Sequence, residues 1–424
     1  MYEILYGVVL TFLFLLGHLQ GGSVLESIEL KFYDFRAKLR QPSESSKAVA
    51  IIAIDDESLA NLGRWPWPRS RIAGLLKHLS SPEAKPKAIG LNILFSEPEQ
   101  NQGLGELEKL RQTFREGTAA KETELAKLKP KLANIKIAAK SWQDQIERDK
   151  KFLSSMDEAY ASLDNDAKLE LAISSAGSVI LPLFFQTDGL EGKAPELQEA
   201  VSKSALMVQS NLGSQDGDAL LSSSKATEPL ERFSAKAAGV GHINTQPDID
   251  GAVRREPLAI AYGDKTYPSF SLKVVQHYLG LGNEDEVYKT GDGISIGNSQ
   301  APLDGAGNFA ITFAREKAFP YYSFYKVIQG NVTPDAFRDK IVLVGPTAIG
   351  VGNSYVTPVA HNLPGIEIVA NTIDNILSKR FLTRPSWSGP AELVLILLMG
   401  LFVSFVLPKL KATPGAIVSA VMLA

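Results

Sequence analysis

The sequence predicts an α/β domain, a mixed sheet with helices on both faces, carrying a long coiled-coil-like helical insertion and flanked by transmembrane helices. Three observations predict it. Short apolar runs rich in β-branched residues alternate with amphipathic stretches, the pattern of strand–helix units. A charged segment over residues 100–163, with apolar residues at alternating three- and four-residue steps, interrupts that alternation. Uninterrupted apolar runs stand near both ends of the chain.

In chain order, the first apolar run is residues 4–17, ILYGVVLTFLFLLG. Met1-Tyr2-Glu3 before it carries no Lys or Arg, and no small-residue cleavage site follows, so residues 1–20 are expected to form an uncleaved membrane anchor. Residues 21–388 are expected to form the folded domain. Its first strand, Val49–Ile54, has the β-branched density of a strand buried on both faces, which leaves Asp55 and Asp56 at its carboxyl end. Two carboxylates in succession on a strand point in opposite directions and make a poor acid–base pair. Asp56 either caps the helix begun by Glu57-Ser58-Leu59 or serves a site. Trp65-Pro66-Trp67-Pro68 fixes the backbone at two prolines and presents two large rings before Arg69, after which a helix runs to Leu79. A strand over Ala88–Phe95 carries Asn92 near its end.

The insertion opens with a helix over Gly103–Glu116, apolar at Leu104, Leu107, Leu110 and Phe114. A heptad seam then runs from Leu125 and Leu128 through Leu132 and Ile135 to Leu163, broken at Asp149, with Pro130 expected to kink the helix or restart it near Lys131. From Lys131 to Leu163 such a helix would be on the order of 50 Å long at 1.5 Å per residue. The seam pairs either with the preceding helix or with a second chain.

The regular pattern resumes with helix Asp166–Ala176, strand Val179–Phe185, a polar loop at 209–228 and strand Gly239–Asn244. Asp248-Ile249-Asp250-Gly251 is turn chemistry that predicts a hairpin between Gly239–Asn244 and Ala252–Ala261. Arg254 and Arg255 beyond it either meet an anion or pair with Asp248 and Asp250. Ser269 is placed to cap helix Phe270–Leu279, and strands Phe309–Ala314 and Ile341–Val344 with helices Ser323–Ile328 and Gly365–Leu377 complete the domain. The apolar run Leu393–Leu407 predicts a transmembrane helix over 389–408, with Trp387 as an interfacial anchor. Lys409 and Lys411 place the following loop in the cytoplasm, so the domain lies outside. A third run begins at Gly415 and reads as the start of a further membrane helix, inside which the chain ends at Ala424.

Composition narrows the chemistry. With 44 basic and 47 acidic residues, a net charge of −3 and no basic block, no nucleic-acid partner is expected. The absence of cysteine excludes disulfides, thiolate metal sites and cysteine catalysis. The five histidines show no metal-ligand spacing and no G-x-S-x-G elbow occurs, so no catalytic residue, metal or cofactor is expected. Ligands of open α/β sheets favour the crevice beyond the carboxyl ends of parallel strands. Asp55, Asp56, Trp65, Trp67, Arg69, Asn92, Gly345, Thr347, Asn353 and Thr357 are the candidates for lining such a crevice, and Asp250, Gly251, Arg254 and Arg255 form a second, structural motif. The glycine-spaced loop Gly345–Gly352 either cradles a small polar ligand or makes a tight turn, and it lacks the Lys-Ser/Thr ending of a phosphate-binding loop.

Residues 49–69, VAIIAIDDESLANLGRWPWPR, resemble the signature of the type 2 CHASE domain. The likeness continues in order through KAIGLNILFSEP at 87–98, AGVGHINTQPDIDGAVRREPL at 238–258, TYPSFSLKVV at 266–275, DKIVLVGPTAIGVGNSYVTP at 339–358 and LPGIEIVANTIDNIL at 363–377. The resemblance implies the sensory region of a bacterial receptor, held in the inner membrane with its main domain in the periplasm or outside the cell. It also implies an output domain beyond this chain: a cyclase, diguanylate cyclase, histidine kinase or Ser/Thr kinase. The partners to expect are the membrane, a small ligand or envelope protein, and a second copy in a homodimer. Asn92 and Asn353 stand where the family usually carries aspartate, which removes two negative charges from any cation site. The helical insertion is a second departure. Two other readings stay open: a membrane-anchored exported hydrolase using Asp55, Asp56 or Asp250, and an envelope scaffold acting through the helical arm.

Overall fold

All six residues of the first strand, β1 (Val49–Ile54), are buried, because neighbouring side chains feed two different cores. Ala50, Ile52 and Ile54 pack on one face of the sheet, Val49 and Ile51 on the other. The computed structural model describes residues 2–20, 23–40, 45–128, 136–187, 193–209, 220–315, 318–383 and 387–409. Its main sheet adds β2 (Ala88–Leu91), β3 (Val179–Gln186), β4 (Lys225–Thr227), β5 (Gly239–His242), β6 (Tyr321–Ser323) and β7 (Ile341–Pro346). The order is β6-β1-β7-β2-β3-β5, parallel throughout, and β4 runs antiparallel along the last residues of β3. The strand latest in sequence thus lies between the two earliest, with Val49 opposite Ile341 and Ile54 opposite Pro346.

Helices Arg69–Leu79 and Asn165–Ala176 cover the first face through Ile72, Leu75, Leu76, Leu169 and Ile173. Phe270–Leu279 and Gly365–Leu377 cover the second through Leu272, Val275, Ile366 and Ile373. Ser269 caps Phe270–Leu279 by accepting from Leu272 N at 3.2 Å. The predicted mixed α/β architecture is therefore present, while some strand pairings differ. The turn at Asp248–Gly251 forms, with Gly251 N donating to Asp248 O at 2.8 Å and Gly251 at φ +81°. It does not close the expected hairpin, because β5 pairs with β3, Arg255–Pro257 with Asn308–Ala310, and Ala259–Tyr262 with Lys265–Pro268. Burial of β5 beside the central strands outweighs the local hairpin preference.

The insertion joins β2 to helix Asn165–Ala176 and consists of helices Gln102–Leu128 and Lys136–Leu163. Pro130, Leu132 and Ile135 lie outside the described residues. The helices pack on each other antiparallel, joined by Arg111–Asp157 at 3.1 Å and Lys121–Asp149 at 2.7 Å. Leu125 and Leu128 belong to the first helix, so no single seam runs from Leu125 to Leu163, and the second helix spans about 42 Å rather than 50 Å. Asp149, the break in the apolar repeat, is buried in the packed face, and its hydrogen bond from Lys121 holds the carboxyl below its ordinary range.

At the ends of the chain stand helix Tyr2–Gln20 and helix Ser388–Leu401, the latter continued by a π-helical turn to Val406. Ser388–Val406 is long and apolar enough to cross a membrane, and the apolar stretch Gly7–Gly17 is shorter. They pack antiparallel at small residues, since a Cβ on Gly7 would lie 2.8 Å from Ser404 Cα and one on Gly400 2.8 Å from Thr11 Cβ. The predicted third apolar segment, from Gly415, and Lys411 before it lie outside the described residues. Helix Ser23–Leu39, which the sequence analysis did not anticipate, turns Leu30, Tyr33, Asp34 and Ala37 toward the domain at helical spacing.

Candidate functional site

The carboxyl ends of β1, β2 and β7 do converge. Thr347 N donates to Ile54 O at 3.0 Å, Asn92 N to Val344 O at 2.8 Å, and a Cβ on Gly345 would meet Asn92 Cβ at 3.4 Å and Ile366 Cδ1 at 2.7 Å. Only glycine lets the chain approach so closely there. Asp55, Asn92, Gly345 and Thr347 are thus neighbours.

Asp55, rather than Asp56, caps the helix Asp56–Leu62. One oxygen of its carboxylate accepts from Ser58 N at 2.9 Å, Ser58 Oγ at 2.5 Å and Ser323 Oγ at 2.9 Å, which ties the ends of β1 and β6 together. Asp56 is exposed. Truncating the cap, Asp55→Ala, is expected to cost about 1–2 kcal/mol, and Asp56→Ala under about 0.5 kcal/mol. Thermal melts of the two variants decide the assignment, and the reverse ranking would return the cap to Asp56.

The remaining candidates separate. Trp67 is buried, donates Nε1–H to Gly63 O at 2.8 Å and packs on Trp65 and Phe324 with ring centroids 5.2 and 4.9 Å away. Asn353 is exposed and its carbonyl accepts from Gly365 N at 2.9 Å. Thr357 is buried in a tight turn, its Oγ1 accepting from Ala360 N at 3.1 Å. Arg69 points away from the crevice to the base of the helical arm. It pairs with Asp166 and donates to Glu97 O, while its guanidinium lies 5.1 Å from the Phe95 ring centroid and 5.4 Å from that of Phe233. Glu99 joins this clasp by accepting from Arg69 N and from Asn165 Nδ2, both at 2.8 Å.

The second motif is a clamp on helix Ser23–Leu39, which follows helix Tyr2–Gln20 in the chain. Arg254, its side chain 3% exposed, bonds Asp248 at 2.9 Å, Asp250 at 2.7 Å and Asp34 of helix Ser23–Leu39 through two nitrogens at 2.8 Å each. Burial opposes its charge, and the carboxylates of Asp250, Asp34 and Asp248 outweigh burial and raise its pKa. Asp250 is in turn lowered by its hydrogen bond from Arg254. Arg255 is exposed and meets Asp304 at 3.2 Å, and Gly251 only makes the turn.

Two cavities stand out and neither is lined by a crevice residue. One, open and about 700 Å³, is lined by Glu196, Glu228 and Glu231 beside Lys203 and Lys265. The other, about 560 Å³, lies between helix Ser23–Leu39, residues 311–315 and the segment after helix Gly365–Leu377. It was not legible in the sequence, because four separate segments build it and no motif links them. The available signal was the set of cations bordering the predicted membrane segments.

Several titratable groups are buried inside the domain. Among the described residues no group of three or more His, Asp or Glu is placed to hold a metal ion. Burial lowers His242 to about 3, so it is neutral across the physiological range. Burial pushes Glu256 up to about 7, and pushes Glu286 up to about 7 against Lys273, whose Nζ is 3.3 Å away. An acid raised in the folded state keeps its proton where the unfolded chain has released it. Stability therefore falls as pH rises from about 4.5 through 7, by about 3 kcal/mol for Glu256. Melting between pH 5 and pH 8 is expected to show this decline in the natural protein and a shallower one in Glu256→Gln; equal declines would refute the assignment.

Compared with known proteins, the chain matches the family model described as CHASE2 domain over residues 8–405. No curated protein and no solved structure matches it.

Proposed function

The chain belongs to the CHASE2 domain family, a family of sensory domains, and on that premise we propose that it is the extracytoplasmic sensor region of a bacterial membrane receptor. Helices Tyr2–Gln20 and Ser388–Val406 anchor it, and a stimulus passes through them to a cytoplasmic output domain such as a cyclase or kinase. The observation that carries this reading is helix Gly365–Leu377. Its first amide bonds Asn353 O in the crevice loop, its residues Ile366–Ile376 are buried, and a short segment then leads to Ser388. A helix packed on every side moves as a rigid body with the core, so a shift at the crevice loop is carried to the end of helix Gly365–Leu377, from which the chain continues to the membrane helix. The antiparallel pairing of the two apolar helices brings both connections to one side of the domain, and Lys409 at the far end of the second suits a cytoplasmic side. Ligand contact falls to Asp56, Asn92 and Thr347 at the crevice, in a homodimer whose helix pairs shift together.

The absence of cysteine makes the topology directly testable. Asp264 and Lys409 are both exposed, and each can be replaced by a single cysteine. In intact cells a membrane-impermeant maleimide is expected to label Asp264→Cys and to spare Lys409→Cys. The opposite labelling would rule out an extracytoplasmic sensor.

A further inference from the structure

The cavity of about 560 Å³ collects cations, most of which the fold does not pair. Five cations line it, Lys38, Arg40, Arg315, Lys379 and Arg380, and among the described residues no carboxylate does. Arg380 is committed to the buried Asp374. Lys38, Arg40, Arg315 and Lys379 are exposed, and among the described residues no carboxylate pairs with them. Glu44 and Glu316, beside the cluster in sequence, lie outside the described residues. Like charges gathered around one concavity repel each other and focus a positive potential on it.

The backbone contributes to the gathering. Lys379 follows helix Gly365–Leu377 at φ +52°, a left-handed conformation that glycine adopts at little cost and lysine does not. Strain kept at a charged residue on a cavity wall points to a function for that charge. The lining is also apolar in part, through Tyr33, Phe313, Val359, Phe381 and Leu382. It is also preformed, since Thr312 N and Ala314 N donate to the side-chain oxygens of Asn375 and Asn371 at 2.6 and 2.7 Å. A lining that combines cations with apolar side chains fits a ligand with both a phosphate and a hydrocarbon part. The cavity lies between helix Ser23–Leu39, which follows Tyr2–Gln20 in the chain, and the segment 379–382, which precedes Ser388.

We infer that this cavity binds the headgroup of an anionic phospholipid, with the phosphate among Lys38, Arg315 and Lys379 and the glycerol and upper acyl carbons against Phe313, Phe381 and Leu382. The bound lipid bridges the two segments that connect the sensor to its membrane helices, so the lipid content of the membrane sets how firmly they are held together. This rests on the membrane placement proposed above. The two fail separately, because cysteine labelling reads topology and lipid titration reads the cavity.

The test is thermal unfolding of the full chain in neutral detergent, titrated with phosphatidylglycerol, phosphatidylcholine or inorganic phosphate. Phosphatidylglycerol is expected to raise the melting temperature and phosphatidylcholine to leave it unchanged. In Lys38→Gln/Arg315→Gln/Lys379→Gln the affinity for phosphatidylglycerol is expected to fall on the order of 100-fold, since each near-surface cation contributes roughly a factor of five. If that variant does not fold, Lys379→Glu replaces it, with loss of the shift expected. The inference is overturned if phosphatidylcholine stabilises equally, if inorganic phosphate alone gives the full shift, or if the variant keeps the phosphatidylglycerol response.

Discussion

Replacing Arg254 with methionine is expected to destabilise the domain by about 3–5 kcal/mol, the usual consequence of removing one partner from a buried ionic cluster. The guanidinium is 3% exposed, and Asp34, Asp248 and Asp250 depend on it for charge compensation. Methionine fills most of the volume but leaves three carboxylates facing one another, and they must take up protons or swing into water. At roughly 2–4 °C per kcal/mol, the loss amounts to about 10 °C or more in melting temperature. The acid limb of the stability curve also changes. Asp250 is lowered in the folded state, so it contributes stability above the ordinary aspartate range that is lost as pH falls through its depressed value. The variant lacks that contribution and its profile is flatter in acid. Asp34→Asn is milder, about 1–2 kcal/mol, because Arg254 keeps Asp248 and Asp250. It is expected to raise hydrogen exchange in helix Ser23–Leu39 and leave the central sheet protected. Unchanged exchange in that helix would show that Asp34 does not hold it to the domain.

At Arg69, substitution by methionine is expected to cost a similar 3–5 kcal/mol while acting on a different part of the molecule. Arg69 connects the tryptophan–proline corner to Glu97 and Asp166, the residues that bracket the helical arm, and it covers the rings of Phe95 and Phe233. Without it the Asp166 carboxylate, 7% exposed, keeps only the Glu99 amide at 3.1 Å. Lysine is not expected to rescue the site. A compact ammonium cannot serve the Asp166 carboxylate and the Glu97 carbonyl while presenting a planar face to two rings. Removing the stranded charge as well, in Arg69→Met/Asp166→Leu, is expected to recover much of the loss. Limited proteolysis should cut first near the arm base in Arg69→Met, ahead of the sheet. Full stability in either Arg69→Met or Arg69→Lys would show that the clasp is not needed to hold the arm.

Much of this was legible in the sequence where the causes are local. The apolar density of VAIIAI identified a strand with two buried faces, and the structure buries all six residues. Ser269 was recognised as a cap because its partner, Leu272 N, is three residues away. The predicted start of helix Gly365–Leu377 agrees with the structure, as does the turn around Gly251. The errors have equally definite causes. Asp55 and Asp56 are both good caps, and only the point where β1 stops following β7 decides which residue leaves the sheet. The single seam from Leu125 to Leu163 is not one helix face, because an apolar repeat reads the same within one helix as across two, and pairings such as Lys121–Asp149 place Leu125 and Leu128 in a different helix.

What the sequence determined by itself was whatever a few neighbouring residues can fix: strand and helix character, caps, turns, the apolar ends, and the ordered blocks that resemble the family. Only the tertiary structure decided that β7 enters between β1 and β2, that Arg254 finds Asp34 at a separation of 220 positions, and that cations from three distant segments share one cavity. Propensity and capping act over about four residues along the chain. Partner choice among distant segments is set by which arrangement buries the most apolar surface while leaving every buried charge satisfied, and that is a property of the whole fold.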